Sequence, residues 1–451
     1  VALAEDASPE KSWLERGLSL ITDVTPGEGV TALLLAANLF CFFALYYVLR
    51  PVRASLILSE SGAIAQSYSA AGQALLLLIL VPAYGAIASR VNRVRLISFV
   101  TLFFASNLML FSVLGQAGVR LGIVFYIWLG IFNLMMPAQL WAFANDIYST
   151  ERGKRLFPLV GIGSSLGAWI GAEIAAALFG SFGPYRLMLV AVGGLAICLL
   201  ITAVVHRREQ SRADRSGAER AAAEQPLGYE GGFQLVLAQR YLLYIALLIV
   251  VLNLVNTLGE FLLASFVETA ARGAVRAGTG GGLNEARWIG TFYSSFYANV
   301  NLLGFLLQTF LVSRVLKYLG VRRALLVLPF VALASYSSIA FFPVLAIVRL
   351  AKTLENATDY SIQNTARQAL FLPTSREAKY KAKQAIDSFF WRAGDLLQAV
   401  VVFAGTRLGL LASHYAILNL LFVAVWIGLV VLIGREHRKL VPVDALEKAV
   451  A

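Results

Sequence analysis

Tyr241-Leu-Leu-Tyr-Ile-Ala-Leu-Leu-Ile-Val-Val-Leu-Asn253-Leu-Val-Asn256-Thr-Leu-Gly-Glu260-Phe-Leu-Leu-Ala-Ser-Phe-Val267 is an apolar run with a single ionisable residue, Glu260. As a helix it extends about 40 Å, more than the roughly 30 Å hydrocarbon core of a bilayer. Backbone groups in hydrocarbon find no water, so such a run must satisfy its own hydrogen bonds as a helix. A carboxylate inside it is costly, and it marks a partner or a cavity.

Runs of this kind recur on both sides. Twelve candidate spans fall near 31–58, 66–88, 94–115, 121–146, 157–180, 185–205, 241–267, 289–313, 322–342, 344–368, 384–408 and 414–434. The composition agrees: 59% of the 451 residues are hydrophobic and 14% charged, where a soluble domain carries nearer a quarter charged. The longest polar stretch, His206 to Gly232, holds Arg207, Arg208, Arg212, Arg215, Arg220 and Glu224 among Ala, Ser and Gly, which reads as a solvated linker. It divides the chain six spans to six. The expected organisation is an N-terminal interfacial segment (1–30), a first six-helix half (31–205), a linker (206–240), a second half (241–434) and a tail (435–451).

The net charge of +12 is explained by topology, without nucleic acid as a partner. With Val1 on the cytoplasmic side, only Arg120, Arg186, Arg272, Arg276, Arg287 and Arg407 fall in outside loops, and most of the 38 Lys and Arg fall inside. Both termini are therefore expected to be cytoplasmic. Residues 1–29 show no signal-peptide pattern, and Trp13, Leu14, Leu18 and Ile21 suit an interfacial helix.

The halves echo each other. Span 2 ends in Arg90-Val-Asn-Arg-Val-Arg95 and span 8 in Arg314-Val-Leu-Lys-Tyr-Leu-Gly-Val-Arg-Arg323. Spans 4 and 10 leave through Ser149-Thr150-Glu-Arg-Gly-Lys154 and Thr374-Ser375-Arg-Glu-Ala-Lys379, each read as a helix cap before a short basic surface helix. The fold class this implies is an all-α membrane protein of twelve transmembrane helices in two six-helix pseudo-repeated halves, a major facilitator-like layout.

The tenth span reads Val344-Leu-Ala-Ile-Val-Arg349-Leu-Ala-Lys352-Thr-Leu-Glu355-Asn-Ala-Thr-Asp359-Tyr-Ser-Ile-Gln363-Asn-Thr-Ala-Arg367. Lys352, Glu355, Asp359, Gln363 and Arg367 are spaced to form one polar stripe, with Lys352 and Glu355 about 13–18 Å from Pro343, near mid-membrane. The stripe is either a cavity wall or an ion-pair ladder between helices. Span 11 carries Asp387, Arg392 and Asp395, of which the last two can pair along the helix. Arg50 and Arg53 share a face of span 1, where Pro51 can break the helix and leave two cations beside an anion site, or both can snorkel to an interface. Glu260 suits proton coupling, an ion pair or a rim position, with Asn253 and Asn256 just before it. Asn145 and Asp146 close span 4 as a gate or a cap. Gly163, Gly167 and Gly171 read as a close-packing face.

Other chemistries lack a signal. Cys41 and Cys198 are apolar fillers, and His206, His414 and His437 form no metal-spaced pair or acyltransferase pattern. Gly278 to Gly282 lacks the Gly-Lys-Ser/Thr of a phosphate loop. No metal, cofactor or enzymatic activity is expected. The remaining reading is a carrier of a small anionic solute, in contact with membrane lipid, with the buried cations as anion ligands. A lipid or lysophospholipid carrier recognising a phosphate headgroup would use the same cations.

Three segments carry a resemblance: Tyr47-Val-Leu-Arg50-Pro-Val-Arg53-Ala-Ser-Leu, Trp141-Ala-Phe-Ala-Asn145-Asp-Ile-Tyr-Ser-Thr-Glu-Arg-Gly-Lys154-Arg-Leu-Phe-Pro-Leu-Val-Gly-Ile-Gly163, and Arg367-Gln-Ala-Leu-Phe-Leu-Pro373-Thr-Ser-Arg-Glu377-Ala-Lys-Tyr-Lys-Ala-Lys383. The sequence resembles the ATP/ADP translocase family of plastids and obligate intracellular bacteria and its free-living bacterial relatives, across all twelve spans in layout. The resemblance implies a major facilitator-like fold, a bacterial inner membrane, and exchange or proton-driven import of nucleotides. The family's first-span pattern is Arg-Asp-Thr-Lys-Asp; Arg50 and Arg53 stand at its cations, and Pro51 and Ala54 replace its acids. In the tenth-span exit Arg367 stands at the family's Lys, and Leu372 replaces its Asp. Arg50, Arg53 and Arg367, at the family's cation positions, join Lys352, Arg392, Asn145 and Asn256, read from the spans themselves, as the candidate substrate ligands. Glu260, Glu355, Asp359, Asp387 and Asp395 are the coupling or gating carboxylates. With the acids lost, the solute widens to a nucleotide, a nucleotide sugar or a smaller organic phosphate.

Overall fold

The computed structural model describes residues 12–19, 22, 24–88, 93–148, 150–213, 232–375 and 378–440. Arg90, Ser149, Arg215, Arg220, Glu224, Arg376 and Glu377 lie outside the described residues, as do Ile21 and the end of the tail. Every regular element among the described residues is helical: α1 (Trp13–Leu18), α2 (Gly29–Glu60), α3 (Gly62–Ala88), α4 (Arg93–Gln116), α5 (Gly122–Ile147), α6 (Thr150–Ala213), α7 (Gly232–Ala238), α8 (Arg240–Arg276), α9 (Glu285–Phe310), α10 (Val312–Phe341), α11 (Leu345–Thr358), α12 (Asn364–Ala369), α13 (Lys383–Ala385), α14 (Trp391–Arg407) and α15 (Ala412–Leu440). Three π-helical turns, Asp359–Gln363, Ala378–Ala382 and Ile386–Phe390, join α11 to α12 and flank α13.

Eight of these helices are long and apolar enough to cross a membrane. One of them, α6, contains Gly183 at φ 70°, ψ 179°, a conformation that only glycine adopts without strain, and so holds spans 5 and 6. The other three candidate spans, α9, α11–α12 and α14, are more polar, and a twelve-span layout fits. Large apolar side chains such as Ile79, Phe99, Leu200 and Val400 point outward, as a lipid solvent permits.

The chain forms two compact units. The first comprises residues 1–52, 83–120 and 128–224. In it α6 presses against α2 through the glycine face: a Cβ on Gly163, Gly167 or Gly171 would fall 2.2 Å from the carbonyl oxygen of Ala36, Phe40 or Ala44. Close backbone approach is how small residues hold membrane helices together. Phe42, Phe104, Trp128 and Phe132 fill the core, the last two stacked at 5.4 Å. Asn38 donates to Thr202 across the same helices at 2.8 Å. Glu28, just before α2, pairs with Arg152 and Arg155 at 3.3 Å each.

Two expectations are corrected in these helices. Pro51 does not break α2, which runs from Gly29 to Glu60 with the proline inside it. In membrane helices, neighbouring groups and local adjustment re-satisfy the carbonyl that a proline frees. The segment after Thr150 is not a separate surface helix but the first turns of α6, which stays helical until Gly183.

The second unit comprises residues 53–82, 121–127 and 225–451. Here α8 packs against α11, α14 and α15, while α10 packs against α11 and α15, and α9 against α11. The end of α2 and the start of α3 belong to this unit. Ser55 donates to the Ala286 carbonyl at 2.6 Å, the Ala63 amide to Glu268 at 2.8 Å, and Gln398 to Ser67 at 3.0 Å.

Candidate functional site

The second unit gathers three of the sequence-derived site residues around the ammonium group of a fourth. Lys352, on α11, has no solvent exposure. Its Nζ lies 3.2 Å from Glu355 Oε2 and 3.7 Å from Glu260 Oε1, and donates to Asn256 Oδ1 at 2.9 Å. One positive charge thus faces two carboxylates from two membrane helices. Glu355 is buried, and Tyr336 on α10 donates to it at 2.8 Å. Glu260 retains 22% exposure and accepts from Asn356 at 2.9 Å. Breaking such a pair from one side is costly, because it leaves a buried charge uncompensated.

Gly259 makes the cluster possible. A Cβ there would stand 2.1 Å from Tyr336 Oη and 3.0 Å from Lys352 Nζ. Gly259, Tyr336 and Asn356 were not singled out from sequence. The available signal was a glycine directly before the only ionisable residue of span 7; Tyr336 gave none, since an aromatic in an apolar span reads as filler.

The next two residues of the stripe are buried as well. Asp359 and Gln363 bound the π turn, with 9% and 0% exposure. π turns of this kind recur at functional sites. Both amide atoms of Gln363 lack a hydrogen-bond partner among the described residues. Arg367 is half-buried, lies 4.9 Å from the Trp391 ring centre and donates to Asn364 at 3.2 Å. Its Nε and Nη1 lack partners among the described residues.

Arg53 stacks on Tyr126 at 4.5 Å. Near this pair lies Tyr293 of α9, 2% exposed, its hydroxyl without a hydrogen-bond partner among the described residues and within electrostatic range of Arg53, Tyr126, Tyr297 and Glu260. Arg50 belongs to the other unit, where it donates to Tyr47 at 3.2 Å.

Three predicted residues are engaged elsewhere. Arg392 pairs with Asp395 at 3.2 Å, and Asn253 donates to the same carboxylate at 2.7 Å, the internal pairing that their spacing allowed. Asp387 forms a partly exposed pair with Lys383 at 3.4 Å. Asn145 and Asp146 lie at the end of α5, their side chains outside those described.

No family model matches the chain. In sequence it is 21% identical over 345 residues to the ADP,ATP carrier protein 1 of Chlamydia pneumoniae, covering 65% of this chain. The chain spans 63% of the length of that relative. In structure it is similar to the nucleoside transporter NupG, with a TM-score of 0.62 at 13% identity, over 90% of this chain and 99% of that one. It is similar also to a bacterial homologue of the human lysosomal transporter Spinster, with a TM-score of 0.59 at 14% identity, over 92% and 99%. The POT family transporter PepTSo gives 0.60 at 12% identity, over 91% and 97%. The fold is major facilitator-like. The chain is an all-α, multi-pass membrane protein, and the relatives and structural neighbours named above are transporters.

Proposed function

We propose that this protein is a secondary transporter that moves an anionic, phosphorylated solute, a nucleotide or related organic phosphate, across a bacterial inner membrane by alternating access with both termini cytoplasmic. The observation that carries the reading is the fully buried Lys352 held between Glu260 and Glu355. A cation kept at mid-membrane by exchangeable carboxylates is a site prepared for an anion. The phosphoryl group displaces Glu260 from Lys352, and this exchange of partners gives binding its differential free energy between two conformations. Arg53 and Arg367, each backed by an aromatic ring, supply further positive charge. Glu260, the partly exposed member, carries the exchangeable proton or reclaims Lys352 when the solute leaves.

The phosphorylated class is supported by the resemblance of the Arg50–Arg53, Asn145–Gly163 and Arg367–Lys383 segments, and by the similarity to an ADP,ATP carrier protein. The replacement of the family's acids by Pro51, Ala54 and Leu372 leaves the particular solute open. Uptake of labelled nucleotides, nucleotide sugars and sugar phosphates into proteoliposomes tests the proposal. Saturable uptake of at least one, lost in Lys352→Ala and reduced in Arg53→Ala, is the expected result. No uptake of any phosphorylated solute by the wild-type protein sinks it.

A further inference from the structure

Arg349 lies about 6 Å along α11 from its first residue and takes no part in the Lys352 cluster. It donates to Ser295 Oγ at 3.1 Å and lies 5.2 Å from the centre of the Phe292 ring. No carboxylate among the described residues comes within ion-pair distance of it. A guanidinium inside a membrane helix without a counterion is costly, so its charge calls for an anion from outside the chain.

The guanidinium opens on a groove of about 550 Å³ between α9 and α11, walled by Trp288, Phe292, Leu345, Ala346 and Leu350. This volume lies in the range of small-molecule sites. The groove is open on one side, and Leu350 in its wall and Leu354 one turn on, both on the α11 surface opposite the buried Val348 and Lys352, are 58% and 42% exposed. An apolar trough beside a cation with no carboxylate partner matches an anionic phospholipid, whose phosphate reaches the guanidinium while its acyl chain fills the trough, and not a water-borne solute.

We propose that this groove binds one anionic phospholipid as a resident ligand, with a phosphate oxygen on Arg349 and an acyl chain along Leu350 and Leu354. A lipid with net negative charge neutralises the guanidinium, whereas a zwitterionic lipid brings its own cation. Planar, two-pronged donation suits arginine to the phosphodiester.

The test is native mass spectrometry of the full-length protein released from detergent with phosphatidylglycerol or phosphatidylcholine. The wild-type protein should retain one phosphatidylglycerol, with about tenfold preference over phosphatidylcholine. Arg349→Gln should lose that preference, and Arg349→Lys should keep part of it. Ala346→Trp, which fills the groove and leaves the cation in place, should lose the bound lipid and so covers the case in which Arg349→Gln folds poorly. Equal retention of phosphatidylglycerol by the wild-type protein and Ala346→Trp, or equal retention of the two lipids by the wild-type protein, overturns the assignment. Competition by millimolar glycerol 3-phosphate also overturns it, because the site then belongs to a soluble phosphate. Each outcome is independent of what the Lys352 site transports.

Discussion

Lys352 and Glu355 form an ion pair 3.2 Å long in which the lysine side chain is 0% and the glutamate 3% exposed. Its partner across the helix interface, Glu260 at 3.7 Å, keeps 22% of its side chain exposed. Lys352→Met removes the one cation of the cluster, and the expected cost is about 3–5 kcal/mol of stability. Lys352→Met combined with Glu355→Gln replaces the pair by neutral groups and should recover most of the thermal stability while uptake stays lost. Thermal unfolding in detergent and proteoliposome uptake separate the two effects. Normal uptake by the double variant would reduce Lys352 to a structural role.

Gly259 gives a steric test of the same cluster. Gly259→Ala places a methyl group where Tyr336 Oη stands, 2.1 Å away, and the tyrosine must leave Glu355. Uptake should fall by an order of magnitude or more, because misplacing a positioned group by about 1 Å costs roughly 100-fold. Tyr336→Phe in the same chain relieves the clash and should restore folding yield. An unaltered Gly259→Ala protein would show that Tyr336 does not set the position of Glu355.

The fold was legible from sequence because lipid allows so few backbone solutions. The apolar runs at 31–58 and 94–115 became α2 and α4, each within a few residues, and 241–267 became α8, which continues nine residues further, to Arg276. The Gly163–Gly171 spacing became the α2–α6 contact. The Lys352–Gln363 spacing was legible as a buried polar face for the same reason: charge is rare there. Partners were less legible. Glu260 had three readings, and its 3.7 Å approach to Lys352 was not readable because it depends on how α8 packs on α11; Pro51 gave the wrong local geometry because the proline penalty is met by tertiary neighbours. Tyr336 and Tyr293 are chemically silent in sequence, since their hydroxyls gain meaning only from what packs beside them.

Tyr293 separates binding from stability. Its buried hydroxyl finds no protein partner among the described residues, which costs about 1–3 kcal/mol. Tyr293→Phe should therefore leave the unliganded protein as stable as wild type or more so. If the hydroxyl donates to an oxygen of the transported solute beside Arg53, the same change should raise KM about tenfold. A lower unfolding temperature with unchanged KM would assign the hydroxyl to an internal water network.

Glu28 provides a pH-dependent tie outside the membrane-spanning segments. Burial alone would raise its carboxyl, but hydrogen bonds from the Thr25 hydroxyl and amide and the charges of Arg155 and Arg152 outweigh burial and hold it below the ordinary carboxylate value. A depressed folded value contributes stability that is fully present above the unfolded value of about 4.3 and is lost as pH falls through the folded one. The stability difference between the wild-type protein and Glu28→Gln should be constant from pH 6 down to about 4.5 and shrink below it. A difference that grows on acidification would contradict the ion-pair geometry with Arg152 and Arg155.

Glu268 clasps the start of α3. Its Oε2 accepts from the Ala63 amide at 2.8 Å, and its Oε1 pairs with Arg272 at 2.6 Å, which in turn reaches Glu285 at 3.4 Å. A carboxylate at a helix N-terminus satisfies an amide that has no partner within the helix and complements the positive end of the helix dipole. Gly62, at φ 83°, gives the carboxylate its approach; a Cβ there would lie 2.9 Å from Glu268 Oε1. If α2 and α3 must separate from α8 during transport, this clasp is one of the contacts that has to break. Glu268→Ala should then shift the conformational equilibrium toward the released state. A shift of about 1.4 kcal/mol is tenfold in population. The rate at which a membrane-impermeant maleimide modifies Ser59→Cys, at the end of α2, reports it. Labelling should accelerate about tenfold in Glu268→Ala and similarly in Gly62→Val, which displaces the carboxylate sterically. Unchanged labelling in both, with unchanged uptake, would make the clasp a static cap of α3.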